Sequence, residues 1–175
     1  EPGNIPVARQ LGAEAATTPW VLFTDADIAF ARGYFLRVEA LAPADVWYGP
    51  KLSRDVHRGY YRRFAAAQAL SHRLGIPAAS GSNLLARRAA LLEAGGFDPQ
   101  LSCNEDSELV WRMKRAGCTV GYDPRLVVWA RDHRRIAAGR LAKTSHSLAR
   151  CAALYLGLIP ARWRGHDWGY WSQPR

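Results

Sequence analysis

Short apolar runs rich in β-branched and aromatic residues alternate along this chain with segments of helical period. That alternation restricts the fold more than any other feature of the sequence. "WVLFT" at 20–24 has the length and composition of a buried strand. "VWYGPKL" at 46–52 reads as a strand interrupted by Gly49-Pro50, and "NLLA", "CTVGY" and "RLVVWA" read as further strands. Between them lie helical patterns at 4–17, with Pro6 near its start, at 33–42, and at 58–75, which stops at Gly75. A short helix follows "NLLA" and stops at Gly95-Gly96. The segment at 105–117 has acids in its first turn and bases in its last, as the helix dipole favours. Strands separated by helices predict a layered α/β domain with a mostly parallel central sheet and flanking helices. In such sheets ligands collect beyond the carboxyl ends of the strands. Asp25 and Asp27 fall there, as does His133 after "RLVVWAR".

The 175 residues suffice for one compact core, and residues 1–135 are expected to form it. From residue 136 a basic amphipathic helical tail follows to 175, with Leu141, Leu148, Ala152, Tyr155 and Ile159 on one side of a helix. Nine Lys/Arg against two Asp/Glu between 131 and 175 place +7 of the net +9 in this tail. Three cysteines without a C-x-x-C spacing argue against a zinc site or a disulfide framework and suit a reducing, cytoplasmic compartment. No apolar run approaches the length of a membrane span, and no signal peptide is visible after Glu1.

"VLFTDADIAF" puts two aspartates one residue apart at the end of an apolar run. An Asp-x-Asp step at a strand end turns both carboxylates to one rim, where two oxygen donors suit Mg²⁺ or Mn²⁺ with phosphate oxygens and water completing the shell. The structural alternative is a turn in which they cap the next helix. Glu105-Asp106 is a second acidic step at a helix start, which alone would serve as a cap. His133 alone suits a surface position as well as a ligand.

In this order, "FTDADIAF", "GSNLLARRAALLEAGGFD", "NEDSELVWRMKRAG" and "DHRR" resemble the catalytic half of a family 2 glycosyltransferase of the GT-A fold. "GNIPVARQLGAEAA" resembles the helix preceding that family's metal motif, and the resemblance spans residues 3–135. It implies a metal-dependent inverting enzyme moving a sugar from a nucleotide-sugar donor to a sugar, lipid-linked or small-molecule acceptor in glycan, glycolipid or cell-envelope synthesis. Asp25 would lie near the ribose and metal waters, Asp27 would bind Mn²⁺ or Mg²⁺ directly, and His133 would complete the metal site. Gly81, Ser82 and Asn83 would wall the donor sugar, and Asp106 would be the catalytic base with Glu105 beside it. The family's N-terminal strands, which read the nucleotide base, have no counterpart, so the resemblance is to a partial domain. The Q-x-x-R-W sequence of processive synthases is also absent, which favours transfer of single sugars.

Two other classes compete. Haloacid-dehalogenase-type phosphatases also use Asp-x-Asp after an apolar strand, but here the later Lys114 and Glu105-Asp106 come in the wrong order. A basic binding module would use the tail, with Trp163, Trp168 and Trp171, on nucleic acid or an anionic membrane. Nucleic acid is the less favoured partner. Two readings of the tail stay open: Arg135, Arg140, Lys143 and Arg150 meet anionic headgroups at the cytoplasmic face of a membrane, or the apolar side of the helix packs on the catalytic domain and the arginines face water.

Overall fold

A computed structural model of the chain describes residues 4–131 and 140–166. Helix α1 (Ile5–Ala15) leads into strand β1 (Trp20–Phe23), and β2 (Ile28–Phe30) follows the two aspartates. After α2 (Tyr34–Glu39) come β3 (Val46–Tyr48), β4 (Lys51–Leu52) and the long α3 (Arg58–Arg73). β5 (Leu84–Arg87) runs into α4 (Arg88–Glu93), and α5 (Glu105–Arg115) precedes β6 (Val120–Tyr122) and β7 (Val128–Ala130). Helices α6 (Arg140–Tyr155) and α7 (Ala161–Arg164) complete the described chain.

The strands form two sheets, ordered β1-β5-β3-β6 and β2-β7-β4. The layered α/β expectation holds, but the sheets are mixed and not mostly parallel. β5 runs antiparallel to both β1 and β3, and β2 antiparallel to β7; only β3 with β6 and β4 with β7 are parallel. The reason lies in β5, which enters after α3 and its loop in the reverse direction and lodges between two strands that share the opposite one. Alternating strand and helix signals carry no information about strand direction.

Gly49-Pro50 does more than interrupt a strand, because β3 and β4 on either side of it belong to different sheets. A Cβ at Gly49 would lie 2.1 Å from the Leu126 carbonyl oxygen, so only glycine lets the chain pass there. The main core gathers Phe23, Val46, Tyr48, Leu84, Leu91, Leu109 and Met113, and a smaller one surrounds Tyr34, Leu126 and Val128. The main core holds Phe23 at the end of β1 and Leu84 at the start of β5, and so anchors the loops that follow β1 and precede β5.

The described part of the tail packs on α5. The Trp111 and Tyr155 rings stack 4.8 Å apart, and the Trp111 indole N–H donates to the Tyr155 carbonyl. Arg150 corrects its expected role. It is fully buried, and its guanidinium donates at 2.6 Å to the carbonyls of both Arg164 and His166, closing the end of α7. A cation so placed stabilises a helix C-terminus and is not presented to a membrane. Arg135, Trp168 and Trp171 lie outside the described residues.

Candidate active site

One cavity of about 2120 Å³ opens beside β1, and Asp25, Asp27, Gly81, Ser82, Glu105 and Asp106 all line it. Elements far apart in sequence bring them there. β1 ends at Phe23 in the core, so the next residues emerge at the sheet rim with both aspartates in reach of the cavity. α5 begins at Glu105, after Asn104 in the left-handed region at φ 63°, and its first turn presents Glu105 and Asp106.

Arg9 of α1 joins the two acidic steps. Its guanidinium donates to Glu105 Oε1 at 2.5 Å and to Asp25 Oδ1 at 3.3 Å, while Lys51 Nζ stands 3.4 Å from Asp25 Oδ2. Arg9 is 14% exposed and Glu105 10%, so their pair is shielded from water, whereas Asp25 at 33% faces the opening. Neither Arg9 nor Lys51 is marked as functional by pattern. The available signal was that Arg9 is the single base in an otherwise small, apolar and acidic helix.

Asp106 is held differently. Its Oδ2 accepts the Gly81 N–H at 2.5 Å and its Oδ1 the Ser107 N–H at 2.7 Å. Two backbone donors fix the carboxyl plane and leave further lone pairs toward the cavity. At Gly81 the loop before β5 passes close to the Arg9 side chain of α1: a Cβ there would meet the guanidinium at 2.2 Å.

The loop itself is tied from four elements. The Tyr155 hydroxyl (α6) reaches the Pro77 carbonyl at 2.9 Å, Gln68 (α3) donates to the Ala78 carbonyl, and Ser107 (α5) to the Ala79 carbonyl. The Tyr48 hydroxyl (β3) accepts the Ala78 N–H at 3.1 Å. Burial raises the Tyr48 phenol to about 12 and drives the Tyr155 phenol upward too, so both stay protonated.

Asn83 is placed elsewhere than the other loop residues. It is 1% exposed; its Oδ1 accepts the Tyr34 hydroxyl at 2.6 Å and its Nδ2 donates to the Leu126 carbonyl at 2.6 Å. It therefore turns into the smaller core and is not part of the cavity wall. Asp27 lines the cavity, and among the described residues its carboxylate has no ion-pair partner; its carbonyl accepts the Arg131 N–H at 2.9 Å. His133 lies outside the described residues. No group of three or more His, Cys, Asp or Glu side chains among the described residues is gathered as a metal cluster.

The model of the family described as "Glycosyltransferase like family 2" matches residues 6–147. The chain belongs to that family. Two relatives from Mycobacterium tuberculosis, strains CDC 1551 / Oshkosh and ATCC 25618 / H37Rv, each named Pre-mycofactocin glycosyltransferase, are 30% identical to it over 143 residues. The match covers 73% of this chain and 30% of each relative, so the chain spans about a third of their length. Mannosyltransferase PcManGT from Pyrobaculum calidifontis, solved in complex with GDP-Man and Mn2+, is similar in structure with a TM-score of 0.57 at 18% identity. That likeness covers 94% of this chain and 47% of the mannosyltransferase, and it shows a shared fold. The GT-A-like α/β class expected of this family 2 chain therefore holds. The family match also leaves the phosphatase reading without support. Among the described residues no helix is long and apolar enough to cross a membrane.

Proposed function

We propose that this family 2 chain carries the catalytic centre of an inverting glycosyltransferase that takes a sugar from a nucleotide-sugar donor and passes it to an acceptor hydroxyl. The observation that carries this reading is Arg9, bonded to Asp25 and Glu105 at once, which joins the step after β1 to the step at the start of α5 on one cavity wall. The GDP-Man and Mn2+ held by the structurally similar mannosyltransferase support a nucleotide-sugar donor and a divalent cation.

Asp25 and Asp27 fit such a cation, because Mg²⁺ and Mn²⁺ take one or two carboxylates and fill the remaining positions with phosphate oxygens and water. The Asp27 carboxylate, which has no ion-pair partner among the described residues, is the stronger candidate for direct contact. Once bound, the cation would neutralise charge on the departing diphosphate. Gly81 and Ser82 wall the donor sugar, and Asn83 supports that wall from behind. Asp106, oriented by the N–H groups of Gly81 and Ser107, accepts the proton of the attacking hydroxyl. Glu105 is committed to Arg9 and so sets the position of Asp106 without competing for that proton. One base and no enzyme nucleophile give a single displacement and inversion at the sugar carbon.

Asp27→Ala tests the reading in the full chain supplied with nucleotide sugars and Mn²⁺. Turnover that depends on Mn²⁺ should disappear while the thermal midpoint is unchanged, since Asp27 sits at a rim. Full activity in this variant would refute the site.

A further inference from the structure

Beyond its carboxylates, the cavity has a second character that donor chemistry does not use. α3 lines it with Tyr60, Phe64 and Ala67, and α6 with Leu148 and Ala152, continued by Leu156 just past its end. Both sets follow helical spacing, so each is one stripe along its helix. Ile76, at the start of the tethered loop, lies on the same cavity wall. Ile76 is 42% exposed, Leu148 63% and Leu156 72%, so the cavity leaves three large aliphatic side chains open to water. Exposed apolar surface concentrated in a concave site marks a binding surface.

We propose that the acceptor presents its hydroxyl on an apolar body, aromatic or aliphatic, lodged between α3 and α6. This rests on the glycosyl-transfer reading and specifies its second substrate. Position decides it: the Tyr155 hydroxyl, on the same face of α6 as the stripe, lies 3.2 Å from the carbonyl of Ser107, the neighbour of Asp106. An acceptor held along α6 therefore ends at the proposed base. Chemistry decides the class. A polar sugar needs many hydrogen-bonding groups around aromatic faces; Arg63 and Ser71 of α3 and Ser147 of α6 also line the cavity, but the exposed stripe of Leu148, Ala152 and Leu156 offers none.

The test uses the full chain with ¹³C-labelled Ile and Leu methyl groups, titrated with octyl β-D-glucopyranoside below its micelle concentration and in parallel with methyl β-D-glucopyranoside. The octyl glucoside should shift the methyls of Ile76, Leu148 and Leu156, and the methyl glucoside should leave them in place. Leu148→Asp should weaken octyl glucoside binding by about tenfold or more, the scale set by apolar contacts in a pocket. Equal shifts from both glycosides would overturn the proposal. So would shifts confined to Leu70, Leu74 and Leu158, which are exposed but do not line the cavity. Nucleotide-sugar turnover, measured separately, isolates the underlying reading. Turnover only with polar acceptors would refute the apolar subsite alone, and methyl shifts without any turnover would refute glycosyl transfer.

Discussion

Asp106 accepts two backbone N–H groups, and an asparagine at that place can accept only one of them with its oxygen. Asp106→Asn therefore removes the proposed proton acceptor and also sets an amide N–H₂ against a backbone donor. Turnover should fall by about 10²–10⁴-fold, the usual worth of a general base. Stability should fall as well, by about 1–3 kcal/mol for the donor left without a partner. Steady-state kinetics with denaturant melts check both, and an unchanged turnover would move the base to Glu105. The convergence of Asp25, Asp27, Glu105 and Asp106 on one cavity was legible in the sequence, because they stand at element ends that short motifs mark. Arg9 was not, since a base inside a helix gives no hint of the carboxylates folding will bring to it. Asn83 was legible only as part of a loop motif. Its inward turn follows from the Tyr34 and Leu126 groups it meets, which lie far away in the chain.

The tethered loop and helix α1 meet at one glycine, and that makes their coupling testable. In Gly81→Ala the new methyl would occupy the place of the Arg9 guanidinium, the far end of a flexible side chain. Arg9 should swing away, so the fold persists while the Asp25–Arg9–Glu105 bridge opens. The expected result is a thermal midpoint close to that of the parent with strongly reduced nucleotide-sugar turnover. Parental turnover would show that the bridge is dispensable. At this scale periodicity predicted the helices well: α1, α3 and α5 lie within the stretches read as helical. The short β2 was missed because three residues between two loops carry no period, and its existence depends on antiparallel pairing with the distant β7. Arg150 was misread for a related reason. A base on an amphipathic helix looks solvated until the carbonyls of a following helix close over it.

For the whole molecule, strand direction was the feature least available to sequence reading, since pairing partners decide it and no single strand does. The assembled fold also sets a pH response. His72 of α3 lies with Nδ1 3.2 Å from the Tyr48 hydroxyl, its ring beside Tyr122, and burial together with nearby Lys114 lowers its pKa below the ordinary 6.5. The folded state thus favours neutral His72, and the unfolded chain takes the proton more readily. Its stabilising effect is complete above about pH 6.5 and declines as the pH falls through that value toward the folded pKa. His72→Gln should flatten the drop in thermal midpoint between about pH 7.5 and 5. An identical pH profile in the variant would refute the assignment. The loop at 76–83 has one more consequence. The carbonyls of Pro77, Ala78 and Ala79 and the N–H groups of Ala78 and Gly81 are already engaged by α3, α5, α6 and β3, so a ligand arriving at this wall meets a braced surface. Association should then follow simple second-order kinetics, its observed rate rising linearly with ligand concentration and never levelling at the speed of a loop rearrangement. Stopped-flow mixing would show this, and the bonded amides of Ala78 and Gly81 should exchange with deuterium as slowly as those inside the helices that hold them.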